Sequence, residues 1–189
     1  MRLFSVTVVF IFCLLLLTNS CRDSAKQMRI RNIELKQDIH TSGIAELSHL
    51  VTLPIAPSEI RIRFKPNNYW LGLGSAEKFG IRFKNQYGQY IEAGYDVYRQ
   101  LFYTECRHST STDAIPNIQL EPYTIDDTKL LNMRIMLNNN SIALFAMDGS
   151  VELTSMYYYS SDFDKLELFA ENGKVFVEFI SFTHLKPTF

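Results

Sequence analysis

The chain has 189 residues, 47% hydrophobic and 21% charged, an ordinary globular balance that fits one domain with a full core better than two. Its formal charge is −1, and since Arg2 is the only charge in the first 20 residues, the remainder carries −2, too neutral for the basic face of a nucleic-acid binder. With 14 Phe and 10 Tyr against one Trp, the composition suits half-buried strands more than a helical bundle.

Arg2 is followed by the uncharged run VTVVFIFCLLLL (6–17) and then Thr18-Asn19-Ser20. The run is shorter than the roughly 20 residues of a membrane helix and suits the apolar core of an export signal; an uncleaved anchor is the alternative. LLTNSC (16–21) resembles a bacterial lipoprotein signal, in which the cysteine is lipidated and becomes the new N-terminus. Thr18 and Asn19 depart from that signal, which prefers Leu and a small residue there. The expected division is a signal peptide over 1–20, lipidated Cys21 with a polar tether over 21–27, and a β-sandwich domain over 28–189. Several acyl chains on Cys21 would anchor the chain stably to a membrane. Cys13 leaves with the signal, so Cys106 has no partner and reads as a buried small hydrophobe.

Beyond the tether, the pattern is strand after strand. GIAELSHL (43–50) is either a short helix or a strand with a bulge. EIRIRFK (59–65) alternates strictly, with Ile60, Ile62 and Phe64 on one face and Arg61, Arg63 and Lys65 on the other. FGIRFKN (79–85) repeats the device with Phe79, Ile81 and Phe83 inward. YGQYIEAGYDVYRQLFYTECR (87–107) reads as two aromatic-rich strands joined near Tyr98-Arg99-Gln100. An irregular connection is expected over 108–128, with Pro116 and Pro122. In LLNMRIMLNNNSIALFAMDGSVELTS (130–155), Met133, Ile135 and Leu137 share a face, and a turn at Asn138–Asn140 draws on asparagine's tolerance of left-handed backbone. Asp148-Gly149 and Asn172-Gly173 are the strongest hairpin signals, because both central positions of a type I′ turn need positive φ. Roughly a dozen strands with turns every 8–12 residues predict an all-β, two-sheet antiparallel sandwich of the jelly-roll or concanavalin-like kind.

EKFGIRFKN, GYDVYRQLFY, LNMRIMLNNNSIALFAMDGSVELTS and LELFAENGKVFVEF, in this order, resemble the C-terminal β-sandwich of family-32 glycoside hydrolases, the invertases, levanases and inulinases. The resemblance covers roughly residues 58–183 and fades over 28–57. It implies an accessory domain, because in that family the chemistry belongs to an N-terminal propeller. The propeller's Asn-Asp-Pro-Asn-Gly and Arg-Asp-Pro segments are absent here, and Glu105-Cys106 is followed by Arg107 where its third segment has proline. No catalytic residue is therefore expected. Some relatives resemble the levan-binding modules of carbohydrate-binding family 66. The chain departs from the hydrolase pattern at Asn138, where an acid is usual, and at Ala143, where a Glu is usual.

A furanose presents hydroxyls that donate and accept, so its site needs carboxylates and Arg in fixed geometry beside an aromatic wall. Tyr95, Asp96, Tyr103, Glu105 and Arg107 supply that chemistry on two neighbouring strands. Tyr95, Tyr103, Glu105 and Arg107 have odd numbers, so within each strand they project to one side, and Asp96 faces the other way or projects from the strand end. Each has a plainer reading: Tyr95 and Tyr103 as core aromatics, Glu105 and Arg107 as a surface ion pair, Asp96 as a turn former. His40, His49, His108 and His184 are scattered without ligand spacing, so no metal and no cofactor is expected. Asp126-Asp127 and Asp162/Asp164 read as solvated loop acids.

The resulting expectation is a non-catalytic carbohydrate-binding lipoprotein that recognises fructan (levan or inulin) or terminal fructosyl units. It would belong to a polysaccharide-utilisation system at the outer membrane of a Gram-negative, Bacteroidetes-like bacterium. The alternative is a scaffold docking on a partner hydrolase or transporter in a glycan-uptake complex; a glycosidase is the remote third. No nucleic-acid partner is expected.

Overall fold

The computed structural model describes residues 31–33, 37–39, 43–48, 55–65, 75–107, 117–125, 130–159 and 161–185. The expected signal peptide, Cys21 and the expected tether lie outside the described residues, as do His40, His49, His108, Asp126 and Asp127.

Among the described residues, thirteen strands form two antiparallel sheets. They are β1 (Arg31–Ile33), β2 (Gln37–Ile39), β3 (Gly43–Glu46), β4 (Ser58–Lys65), β5 (Lys78–Lys84), β6 (Tyr90–Asp96), β7 (Leu101–Arg107), β8 (Asn117–Pro122), β9 (Leu131–Leu137), β10 (Ser141–Ala146), β11 (Val151–Met156), β12 (Lys165–Glu171) and β13 (Val175–His184). The seven-stranded sheet runs β1-β13-β4-β9-β10-β11, and β2 pairs with β13 further along the same strand. The six-stranded sheet runs β3-β12-β5-β6-β7-β8. The pattern is a two-sheet sandwich, as the alternation predicts.

Alternation places the core between the sheets. Ile60, Ile62 and Phe64 of β4, Phe79, Ile81 and Phe83 of β5, and Met133, Ile135 and Leu137 of β9 are all buried. Phe64 and Phe79 meet across the sheets with ring centroids 4.7 Å apart, and Phe79, Tyr95, Phe102 and Tyr123 continue as a chain of tilted or edge-on rings. Arg61, Arg63 and Lys65 face solvent from the other side of β4. Cys106 is a free, buried thiol, and burial first and the adjacent Glu105 charge second push its pKa to about 12.

Several local expectations change. The stretch 108–128 contains β8, an edge strand paired with β7 through Leu101↔Pro122 and Cys106↔Asn117. Pro122 is tolerated there because no further strand needs its missing N–H. GIAELSHL begins as β3 on β12, and Ser48 has 3-10 geometry. Asp148-Gly149 lies in a four-residue connection, 147–150, with Met147, Asp148 and Gly149 all at positive φ, rather than in a two-residue turn. None of Asn138–Asn140 has positive φ; the Asn138 N–H instead donates to the Ser141 carbonyl at 2.8 Å, and the Tyr157 hydroxyl donates to the Asn138 carbonyl.

Asn172-Gly173 makes no hairpin at all. Asn172 has the expected positive φ of 55°, but β12 belongs to the six-stranded sheet and β13 to the seven-stranded one. The segment therefore crosses between sheets and pins residues 75–77: the Ala76 N–H donates to the Lys174 carbonyl at 3.1 Å and the Glu77 N–H to the Glu171 carbonyl at 2.8 Å. A Cβ at Gly173 would stand 2.1 Å from the Ser75 carbonyl oxygen, so only glycine fits this approach.

Candidate functional site

The ladders arrange the outer face of the six-stranded sheet in rows. One row runs Glu167–Arg82–Glu92–Glu105, the next Lys84–Tyr90–Arg107, and a third Phe169–Gly80–Gly94–Tyr103. Tyr103, Glu105 and Arg107 thus share this face, as expected from their spacing. Tyr95 does not join them. It pairs with Phe102 and lies 2% exposed in the core, its hydroxyl donating to the Tyr123 carbonyl at 2.9 Å. Asp96 faces opposite to Tyr95, as alternation along β6 expects, and because the register pairs odd with even numbers it shares the outer face with Tyr103, Glu105 and Arg107.

Asp96 accepts from the Arg99 N–H at 2.9 Å, shaping the β6–β7 turn, and lies 4.0 Å from Lys78 Nζ. Tyr103 lies over the Cβ-less backbone of Gly94: a Cβ there would be 3.2 Å from its ring. Its hydroxyl points to Glu92 Oε2 at 3.4 Å, and burial, with the Glu92 charge, holds its pKa well above the phenol range. Glu105 pairs with Arg107 through Oε1 and Nε. The Glu105 side chain is 10% exposed and that of Arg107 is 55% exposed, so the arginine carries the pair to the surface.

Arg82 organises the rest. Its Nε donates to Glu92 Oε1 at 2.6 Å, its Nη1 lies 3.7 Å from Glu167, and its guanidinium stacks 5.0 Å from the rings of both Tyr90 and Phe169. Lys84 reaches the other Glu167 oxygen at 3.5 Å. Burial works against the Arg82 charge, yet Glu92 and Glu167 hold its pKa above the ordinary value; burial raises that of Glu92 against the pull of Arg82. Most of this network is closed to solvent, and Arg107 with Tyr90 is its accessible end.

A second concavity, about 820 Å3, lies on the outer face of the seven-stranded sheet. Its wall includes Arg61, Arg63, Arg134, Phe145 and Phe179. Sequence alternation marked Arg61 and Arg63 only as a solvent face. The available signal was an RIR repeat on one strand and a lone Arg134 five strands further along the sequence, without the register that joins them. Among the described residues, no group of three His, Cys, Asp or Glu is placed to hold a metal ion.

The fold and its two polar faces define an antiparallel β-sandwich module. The model of the family "Glycosyl hydrolases family 32 C terminal" matches residues 19–185, and the chain belongs to that family. Among solved structures, an exo-inulinase from Aspergillus awamori is similar with a TM-score of 0.64 at 16% identity, over 87% of this chain and 30% of that one. Fructan 1-exohydrolase IIa from Cichorium intybus matches with a TM-score of 0.63 at 13% identity, over 88% and 37%. A β-fructofuranosidase from Schwanniomyces occidentalis matches at 0.64 and 14%, over 87% and 35%. The chain thus spans about a third of the length of these proteins, and the likeness is one of fold. No curated protein matches the chain.

Proposed function

We propose that the protein is a non-catalytic carbohydrate-binding module for fructan or terminal fructosyl units, exported and lipid-anchored at Cys21 to the outer membrane. The observation that supports this reading is the family match over 19–185, to the C-terminal domain alone, together with the fold it shares with enzymes named for inulin, fructan and fructofuranoside. The proposed contact is the accessible end of the six-stranded face: Arg107, held by Glu105, donates to sugar hydroxyls while Tyr90 offers a ring wall. Tyr103 and Asp96 lie along the same face; Tyr95 supports it from the core. No bond is cleaved.

Calorimetry against levan, inulin and fructose tests the ligand. Binding of at least one fructan is expected, with Arg107→Ala weakening it about tenfold, the effect of losing a charge-assisted hydrogen bond. Absence of heat with every fructan would remove the ligand; unchanged affinity in R107A would remove the site. The scaffold reading draws on Ile118 and Leu120, each 43% exposed on the outer side of edge strand β8. Tight association with a fructan hydrolase, lost in Leu120→Lys, would favour it.

A further inference from the structure

The groove on the seven-stranded sheet has a charge pattern that the fructan reading does not use. Arg61 of β4 and Arg134 of β9 are directly opposite in register, and like charges so placed repel. Glu59, diagonal to Arg134, is held by Arg61 at 2.5 Å. Glu178 lies 3.5 Å from Arg63, whose Nε donates to Asn132 Oδ1 at 3.0 Å. On β10, the outward neighbours of Arg134 are Phe145, directly opposite, and Ala143. Among the described residues no acid pairs with Arg134; its guanidinium rests on the Phe145 ring, 4.5 Å from the centroid. Arg63 lies over Phe179 at 5.9 Å in the same way.

We propose that this groove is a second binding site, for a sugar bearing a single acidic group, carboxylate or sulfate, received between Arg61 and Arg134. The Phe145 ring supports the Arg134 guanidinium and Arg61 faces it from β4, and a planar fork matches the oxygens of either acid in a bidentate pair. An anion between the arginines removes their mutual repulsion. The volume of about 820 Å3 is within the range of small-ligand clefts, and the concavity suits a saccharide more than a flat protein surface. Asp148, on the groove wall at the 147–149 turn, opposes a ligand charged along its whole length and so selects one acidic group on an otherwise neutral sugar.

The test is calorimetry of the full chain with 4-nitrophenyl β-D-glucuronide, its methyl ester, the corresponding glucoside and glucose 6-sulfate. The expected result is binding of the glucuronide or the sulfate ester at least about tenfold tighter than the two neutral sugars, with the ratio of the two acids showing which group is preferred. Arg134→Gln and Arg61→Gln are each expected to weaken acidic-sugar binding about tenfold, and Arg107→Ala to leave it unchanged. Arg134 and Arg61 are exposed, so both variants fold. Equal affinity for acidic and neutral sugars, no binding of either acid at millimolar concentration, or an R134Q protein that binds as the parent does would each overturn the proposal. Loss of fructan binding bears only on the other sheet.

Discussion

Thr104 and Ser155 join the two sheets inside the core, their hydroxyl oxygens 2.7 Å apart, with Thr104 on β7 and Ser155 on β11. Both residues are at most 1% exposed. Each hydroxyl has given up water, so removing one strands the other. Thr104→Val and Ser155→Ala are each expected to cost about 1–3 kcal/mol in urea unfolding, and the double variant less than their sum. Strict additivity would show that the bond contributes nothing beyond the separate groups.

Arg82→Met leaves Glu92 and Glu167 facing each other without their shared cation, with carboxylate side chains only 6% and 7% exposed. The expected loss is about 3–5 kcal/mol near neutral pH. Burial already raises the Glu92 pKa, and losing Arg82 raises it further. A carboxyl raised in the folded state contributes stability that is present below its unfolded value and lost as pH rises through the folded one. The variant should therefore come closer to the parent at about pH 4 than at pH 7; a gap that widens on acidification contradicts this account.

Gly173→Ala forces a Cβ against the Ser75 carbonyl, where backbone must move on both segments. A loss of about 2 kcal/mol or more is expected, and thermal melting measures it. Gly149→Ala is the useful contrast, because open space surrounds its Cβ position and only the positive φ of 89° opposes the side chain. Its cost should be smaller, about 1 kcal/mol.

Buried phenols and one thiol set an alkaline limit. Burial pushes Tyr95 and Cys106 up to about 12 and also raises Tyr103, Tyr157 and Tyr159. Their neutral forms are favoured in the folded state, so the stability they contribute is intact below their unfolded values and lost as pH rises through the folded ones. Stability should fall steeply between about pH 10 and 12, with buried phenolate absorbance appearing together with loss of the near-ultraviolet dichroism. Phenolate signal from these residues before unfolding would show that the core admits water.

Much of the fold is legible in local pattern. Ile60, Ile62 and Phe64 had to face one way because a strand's side chains alternate, and burial of apolar rings selects the inward side. Asn172 takes the left-handed backbone that Asn-Gly predicts. Local conformation does not determine which strand comes next in space, and here the chain leaves one sheet for the other. β8 went unread because an edge strand with exposed Ile118 and Leu120 has no buried face to impose alternation.

The sites divide the same way. Composition and spacing alone identified Tyr103, Glu105 and Arg107 as polar and aromatic groups on one strand face. Register decided the rest: it sent Tyr95 to the core, turned Asp96 outward, buried the Arg82 network and set Arg134 opposite Arg61. The sequence by itself determined an antiparallel sandwich, its family and its core strands, because alternation and turn chemistry act over a few residues. The tertiary structure alone decided which charges meet, because cross-strand partners are distant in sequence and a shift of one residue exchanges the two faces.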